Sequence, residues 1–229
     1  MINWANLSTQ QKVLSAAVII GLLAVLLFSD YVSTDEMIAR VMVLLISFPV
    51  HELAHAVVAD RLGDPTPRYY GRITLNPVRH LDPVGSAMML LFGFGWATTP
   101  VNPGRLRGNQ QVGSILVSVA GPLSNLALAA IAGLVLQFLP IDNRTVWIIA
   151  ANFVYINVLL FVFNLLPIPP LDGFNILANL LPVEMRQTLL RIAPYGSLLL
   201  LALIFLPGNL LGSVIYPPID AISQFLLGF

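Results

Sequence analysis

The segment Met37–Val58, MIARVMVLLISFPVHELAHAVV, constrains this chain more than any other. It is apolar and long enough to cross a bilayer, which takes about 20 residues as a helix. A backbone in lipid must satisfy its own hydrogen bonds, so the segment is expected to be helical. Yet it carries His51, Glu52 and His55 within little more than one turn. On a helix the two histidines share a face one turn apart, as two nitrogen ligands to one metal ion require. Glu52 lies beside them, where it can serve as base for a hydrolytic water. Titratable groups at membrane depth are costly and mark function. The expectation is hydrolysis within the membrane.

Composition agrees with a membrane setting. Of 229 residues, 57% are hydrophobic and only 10% charged, with a mean hydropathy of +0.85. Soluble domains carry about 25% charged residues. The expected class is therefore an all-α polytopic membrane protein, read as a single transmembrane domain over residues 1–229 with its motif-bearing core at about 37–182. Net charge is +0 and Lys12 is the single lysine, which speaks against a nucleic-acid partner. Cys is absent, so any zinc must be held by histidine and carboxylate. The first apolar run follows a weakly charged start without a clear cleavage site, and reads as a retained span.

Apolar runs predict helices near Val13–Phe28, Met37–Val58, Val112–Leu139, Val146–Leu166 and Ile192–Leu206. Pro83–Thr99 is apolar but interrupted by Gly85, Gly93 and Gly95, and reads as a re-entrant element or a sixth crossing. Five to six spans are thus expected. The stretch Leu210–Phe229, broken by Pro217 and Pro218, reads as interfacial. Basic residues cluster at Arg61–Asp82, at Arg105 and Arg107, and at Arg186 and Arg191. Cytoplasmic loops are enriched in Lys and Arg. An N-in topology with 83–99 re-entrant puts all these clusters inside. His55 then lies about six residues, or about 9 Å, from the cytoplasmic end of its helix. Tyr69–Leu75 (YYGRITL) alternates roughly and reads as a short strand, with Gly95–Val101 as a second. Such an edge could hold an extended peptide by strand addition.

Two histidines do not complete a zinc site, which needs a third protein ligand and an open position. His80 lies in a polar loop, NPVRHLDP, and reads as loop structure or a cap. The stronger candidate is Asp172, in NLLPIPPLDGFNIL, where Pro167, Pro169 and Pro170 break a helix. An acidic side chain on a broken membrane helix is tolerated where it lines a site. Its plainer role is a helix cap after the prolines, and both roles can coexist.

HELAH in one span, Asn164-x-x-Pro167-x-Pro169-x-x-Asp172-Gly173 at the end of another, and Gly121-Pro122-x-x-Asn125 between them resemble the site-2 protease family of intramembrane zinc metalloproteases. GRITLNPVRHLDPVG and GWATTPVNPGRLR are similar to the loops of its compact bacterial and archaeal members. The resemblance covers roughly Ser47 to Asn179 and implies a prokaryotic plasma-membrane protein without PDZ or CBS modules. It implies one Zn2+ per chain on His51, His55 and Asp172, with Glu52 as general base. It also implies a transmembrane protein substrate, cut in or near its spanning segment. Asn164 matches the family's asparagine that binds substrate backbone or the oxyanion; a structural bond to freed carbonyls is the alternative. Position 165 is Leu where the commoner motif has Pro. Gly121 and Pro122 read as close-packing residues, with Asn125 either among them or facing the site. Trp96, Trp147, Tyr155 and Tyr195 read as interface anchors or packing.

Two rival readings belong to other classes. One is a silent metal-binding membrane scaffold, which has no chemical need for Glu52. The other is an ion transporter using the His-Glu-His-Asp cluster, for which no inverted repeat is present.

Overall fold

A computed structural model describes residues 32–205 and 210–229; the expected helix Val13–Phe28 lies outside them. The described residues form helices α1 (Thr34–Arg61), α2 (Pro83–Phe92), α3 (Gln110–Phe138), α4 (Arg144–Asn164), α5 (Asp172–Leu180), α6 (Val183–Ile192), α7 (Gly196–Phe205) and α8 (Leu210–Leu227), with short helical turns between. Three of these, α1, α3 and α4, are long and apolar enough to cross a membrane. A fourth span arises if Val183–Tyr195 and Leu198–Ile204, bent by 71°, count as one. The described residues form an all-helical membrane fold with three or four candidate spans, against the four or five expected there once Val13–Phe28 is set aside.

Local chemistry explains most boundaries. Ser33 caps α1 by accepting from Glu36 N, Asp82 caps α2, and Asn109 and Asn143 cap α3 and α4. Side-chain oxygens there satisfy amides that the first turn leaves orphaned. α2 ends at Gly93, whose φ of +79° suits a residue without Cβ. A π-helical stretch, Val43–Ser47, lies in α1 one turn before His51. α3 and α4 are joined by a few residues and pair along their lengths. Ala129 and Leu136 of α3, Val154 and Val158 of α4, and Ile215 and Ile219 of α8 form one buried cluster. A second cluster joins Val43 and Phe48 of α1, Met89 of α2 and Leu160 of α4.

α8 corrects the expectation that the prolines break 210–229. Pro217 and Pro218 sit inside one continuous helix that packs on α3 and α4. Proline is tolerated inside apolar helices when packing around it compensates the missing donor.

Neither expected strand forms. Thr66–Tyr69 is a helical turn, followed by Gly71 at φ +65°, and residues 97–102 have no regular structure. Pro67 in that first turn presets helical φ, and the described residues hold no strand for Tyr69–Leu75 to pair with. A lone extended segment has no ladder to stabilise it.

Residues 83–102 form a narrow out-and-back loop against α1. α2 spans ten residues, about 15 Å, too short to cross a bilayer. At its far end Arg40 Nη1 donates to Leu90 O and Leu91 O, both at 2.8 Å, while its Nη2 binds Glu36 Oε1 at 2.5 Å. The cation sits on carbonyls at a helix C-terminus, where the dipole favours it. The chain then returns so close to α2 that a Cβ on Gly85 would overlap Trp96 O, and one on Gly95 would overlap Gly85 O. The return ends where α1 ends: Asn102 N donates to Asp64 Oδ2 (2.6 Å), and Arg107 N to Leu62 O (2.8 Å). Both ends of the loop are thus tied along α1.

Candidate metal centre

His51 and His55 lie one turn apart on α1, both buried, and Asp172 is the first residue of α5. Three prolines end α4 and turn the chain so that Asp172 meets the histidines. Gly173 lies so close to Leu165 O and Leu166 O that a Cβ would overlap them, which fixes the tight turn. Asp172 Oδ2 is 3.2 Å from His51 Nε2 and 3.3 Å from His55 Nε2, and the two Nε2 atoms are 3.0 Å apart. The N-cap position of α5 is Leu171, not Asp172. The Asp172 carboxylate is committed to the histidines.

The opposite ring nitrogens decide what this trio is for. His51 Nδ1 is 2.6 Å from Asn125 Oδ1, and His55 Nδ1 is 2.6 Å from Val117 O. Asn125 Nδ2 donates to Asn157 Oδ1 (3.2 Å), and Asn157 Nδ2 to Phe153 O (2.9 Å), so the amide orientation is fixed. Both Nδ1 atoms must therefore carry the proton and donate. Both Nε2 atoms are left with lone pairs aimed at one point, together with a carboxylate oxygen. Three acceptors converge within 3.3 Å. A cation relieves that repulsion, and two imidazoles with one carboxylate are a zinc donor set. Imidazole donors whose far N–H is bound to oxygen are the usual outer-shell arrangement. The residues fit the metal.

Gly121 of α3 makes room for this. A Cβ there would land on Nε2 of both histidines. The close-packing reading of Gly121 holds, and what it packs against is the ligand pair.

Glu52, buried at 3% exposure, sits beside the trio. Thr99 Oγ1, on the returning limb of the loop, lies 2.5 Å from Glu52 Oε2 and 3.2 Å from Glu52 O. A cavity of about 460 Å3 opens over all four residues. Gly95 to Thr99 form one wall, and Asn164 and Asn175 line it too. Asn164 is buried, and its Nδ2 donates to Leu160 O one turn back within α4 (2.9 Å).

Sequence reasoning missed three partners. Thr99 and the Val117 carbonyl meet the site only through space, and no local pattern marks them. Asn157 carried a signal, being an amide in the apolar run of α4, where polar groups are costly. Replacing Asn125 by Leu should free His51 Nδ1–H and weaken zinc affinity about 10–100-fold, read by competition with a chromogenic chelator.

His80 stands apart from the metal trio. It is 1% exposed, its Nε2 pairs with Thr74 O at 2.7 Å, and its Nδ1 is buried without a partner. Burial pushes its pKa below the usual histidine value. A depressed value means the folded loop favours the neutral ring. That contribution is complete above the unfolded value of about 6.5 and is lost as pH falls below it. Amide exchange of residues 74–82, corrected for intrinsic rate, should rise below about pH 6.5. His80→Gln should flatten that dependence.

Comparison with known proteins agrees with this geometry. Over 191 residues the chain is 41% identical to "Putative zinc metalloprotease YwhC" of Bacillus subtilis, covering 79% of this chain and 85% of the relative. The chain belongs to this family of zinc metalloproteases. It is also 34% identical over 172 residues to "Putative zinc metalloprotease Rip2" of Mycobacterium tuberculosis, covering 71% of this chain and 65% of the relative. With "Putative zinc metalloprotease MJ0611" of Methanocaldococcus jannaschii it shares 32% over 139 residues, 57% of this chain and 64% of the relative. No family model matches, and no solved structure matches significantly. The family agrees with the motif resemblance to compact site-2 proteases.

Proposed function

We propose that this protein is an intramembrane zinc endopeptidase that hydrolyses peptide bonds in or near transmembrane segments of membrane proteins. The carrying observation is the convergence of His51 Nε2, His55 Nε2 and Asp172 Oδ2 beside a buried Glu52, on one cavity within the apolar bundle.

Zinc on these three ligands supplies an acidified water and a polarised carbonyl. Glu52 takes a proton from the attacking water and returns it to the leaving nitrogen. Thr99 Oγ1 donates to Glu52 Oε2 and holds that carboxylate toward the cavity. Asn125 and Val117 O keep each histidine in the tautomer that presents Nε2. Asn164 lines the cavity, where an amide can bind substrate backbone or a developing oxyanion. The substrate helix must unwind, because its amides are bonded within the helix. The irregular limb 95–101, which lines the cavity, offers backbone to an unwound segment and offsets part of that cost. The cluster of arginines around the C-terminal end of α1 supports a cytoplasmic position for that end and for the nearby site.

The test is direct. Purified protein should hold about one zinc per chain and cut a model single-span substrate in detergent micelles. Stoichiometric zinc without cleavage of any membrane substrate would favour the scaffold reading. Zinc that exchanges across vesicles would favour the transporter.

A further inference from the structure

The cavity has a polar corner that the proposed chemistry does not use. It lies where α5 meets α6, and Asn179 and Arg186 line it. Arg186 is the one Lys or Arg on the cavity wall among the described residues. It is half-buried, and no ion pair to a carboxylate involves it. The two carboxylates of the cavity are engaged elsewhere, Glu52 with Thr99 and Asp172 with the histidines. Asn179 Nδ2 donates to Asn175 O at 2.8 Å, while its Oδ1 is buried and accepts nothing. The corner thus offers a guanidinium with no carboxylate partner on the cavity wall.

We propose that Arg186 is a specificity-determining residue, forming a subsite for a substrate carboxylate, an Asp or Glu side chain close to the scissile bond. The proposal rests on the protease reading above. A guanidinium poorly exposed to water gains more from an anion than a solvated one does, because the surroundings screen less. Its planar fork matches a carboxylate with two parallel hydrogen bonds. Such a side chain supplies the anion that the corner lacks.

The experiment uses the full-length, zinc-loaded protein in micelles with single-span substrates carrying Asp, Asn or Lys, scanned through four positions either side of the cut. At one position the wild type should prefer Asp over Lys by about tenfold or more in kcat/KM, the scale of a charge-assisted hydrogen bond. R186Q should bring that ratio close to one, R186E should invert it, and R186K should keep its sign. Zinc content checks that each variant is folded; if R186E loses metal, R186Q carries the test. A preference for Asp that R186Q leaves intact overturns the proposal, as does no charge preference at any position. Phosphatidylglycerol added to the micelles should leave the ratio unchanged; its loss would assign Arg186 to headgroup phosphate and overturn the proposal. Failure of the zinc-loaded wild type to cut any substrate removes the protease reading itself, a distinguishable result.

Discussion

Glu52→Gln is expected to keep zinc and lose cleavage. The substitution preserves volume and leaves His51, His55 and Asp172 untouched, so the metal set, built on other atoms, stays intact. The amide cannot accept the proton of the attacking water. General-base catalysis is worth about 10²–10⁴-fold, and the loss in kcat should fall in or beyond that range. Thr99 can still donate to the amide oxygen, so little should change in the fold. Metal content and single-turnover cleavage on the same preparation check both halves. Unchanged turnover would remove Glu52 from the role of base.

Asp172→Ala should do the reverse and empty the site. It removes the one ligand that comes from outside α1, leaving two histidines one turn apart on a single helix. Two ligands do not hold zinc at a catalytic site. The fall in affinity should exceed the about 10–100-fold cost of losing an outer-shell partner. It should therefore exceed the effect of Asn125→Leu measured in the same chelator competition. Undiminished zinc in Asp172→Ala would refute the third ligand. The pair of variants separates holding the metal from using it.

The metal trio and Glu52 were legible because these residues are chemically out of place. Two histidines, a glutamate and an aspartate in apolar or proline-broken segments have few bland explanations. Helix extents were legible for the same reason that membrane helices are plain in any sequence: α1, α3 and α4 begin and end within about three residues of the expected runs. The strand at 69–75 was misread because rough alternation of aromatic and β-branched residues says nothing about a partner strand. The break expected at Pro217 and Pro218 does not occur: two prolines in water would break a helix, whereas here Ile215 and Ile219 anchor α8 on α3 and α4. Thr99 was invisible for a different reason. It lies 47 positions from Glu52, and the loop that joins them is held by backbone close approach, which only glycines at 85 and 95 betray.

That loop has one more consequence. Its far end hangs from Arg40 and its near end from Asp64, and Thr99 lies on the limb between. The metal ligands, by contrast, are braced by α3 and by the end of α4. Metal retention and the aim of the base therefore answer to different parts of the chain. Moving that limb would take away the Thr99 partner of Glu52 without moving His51, His55 or Asp172.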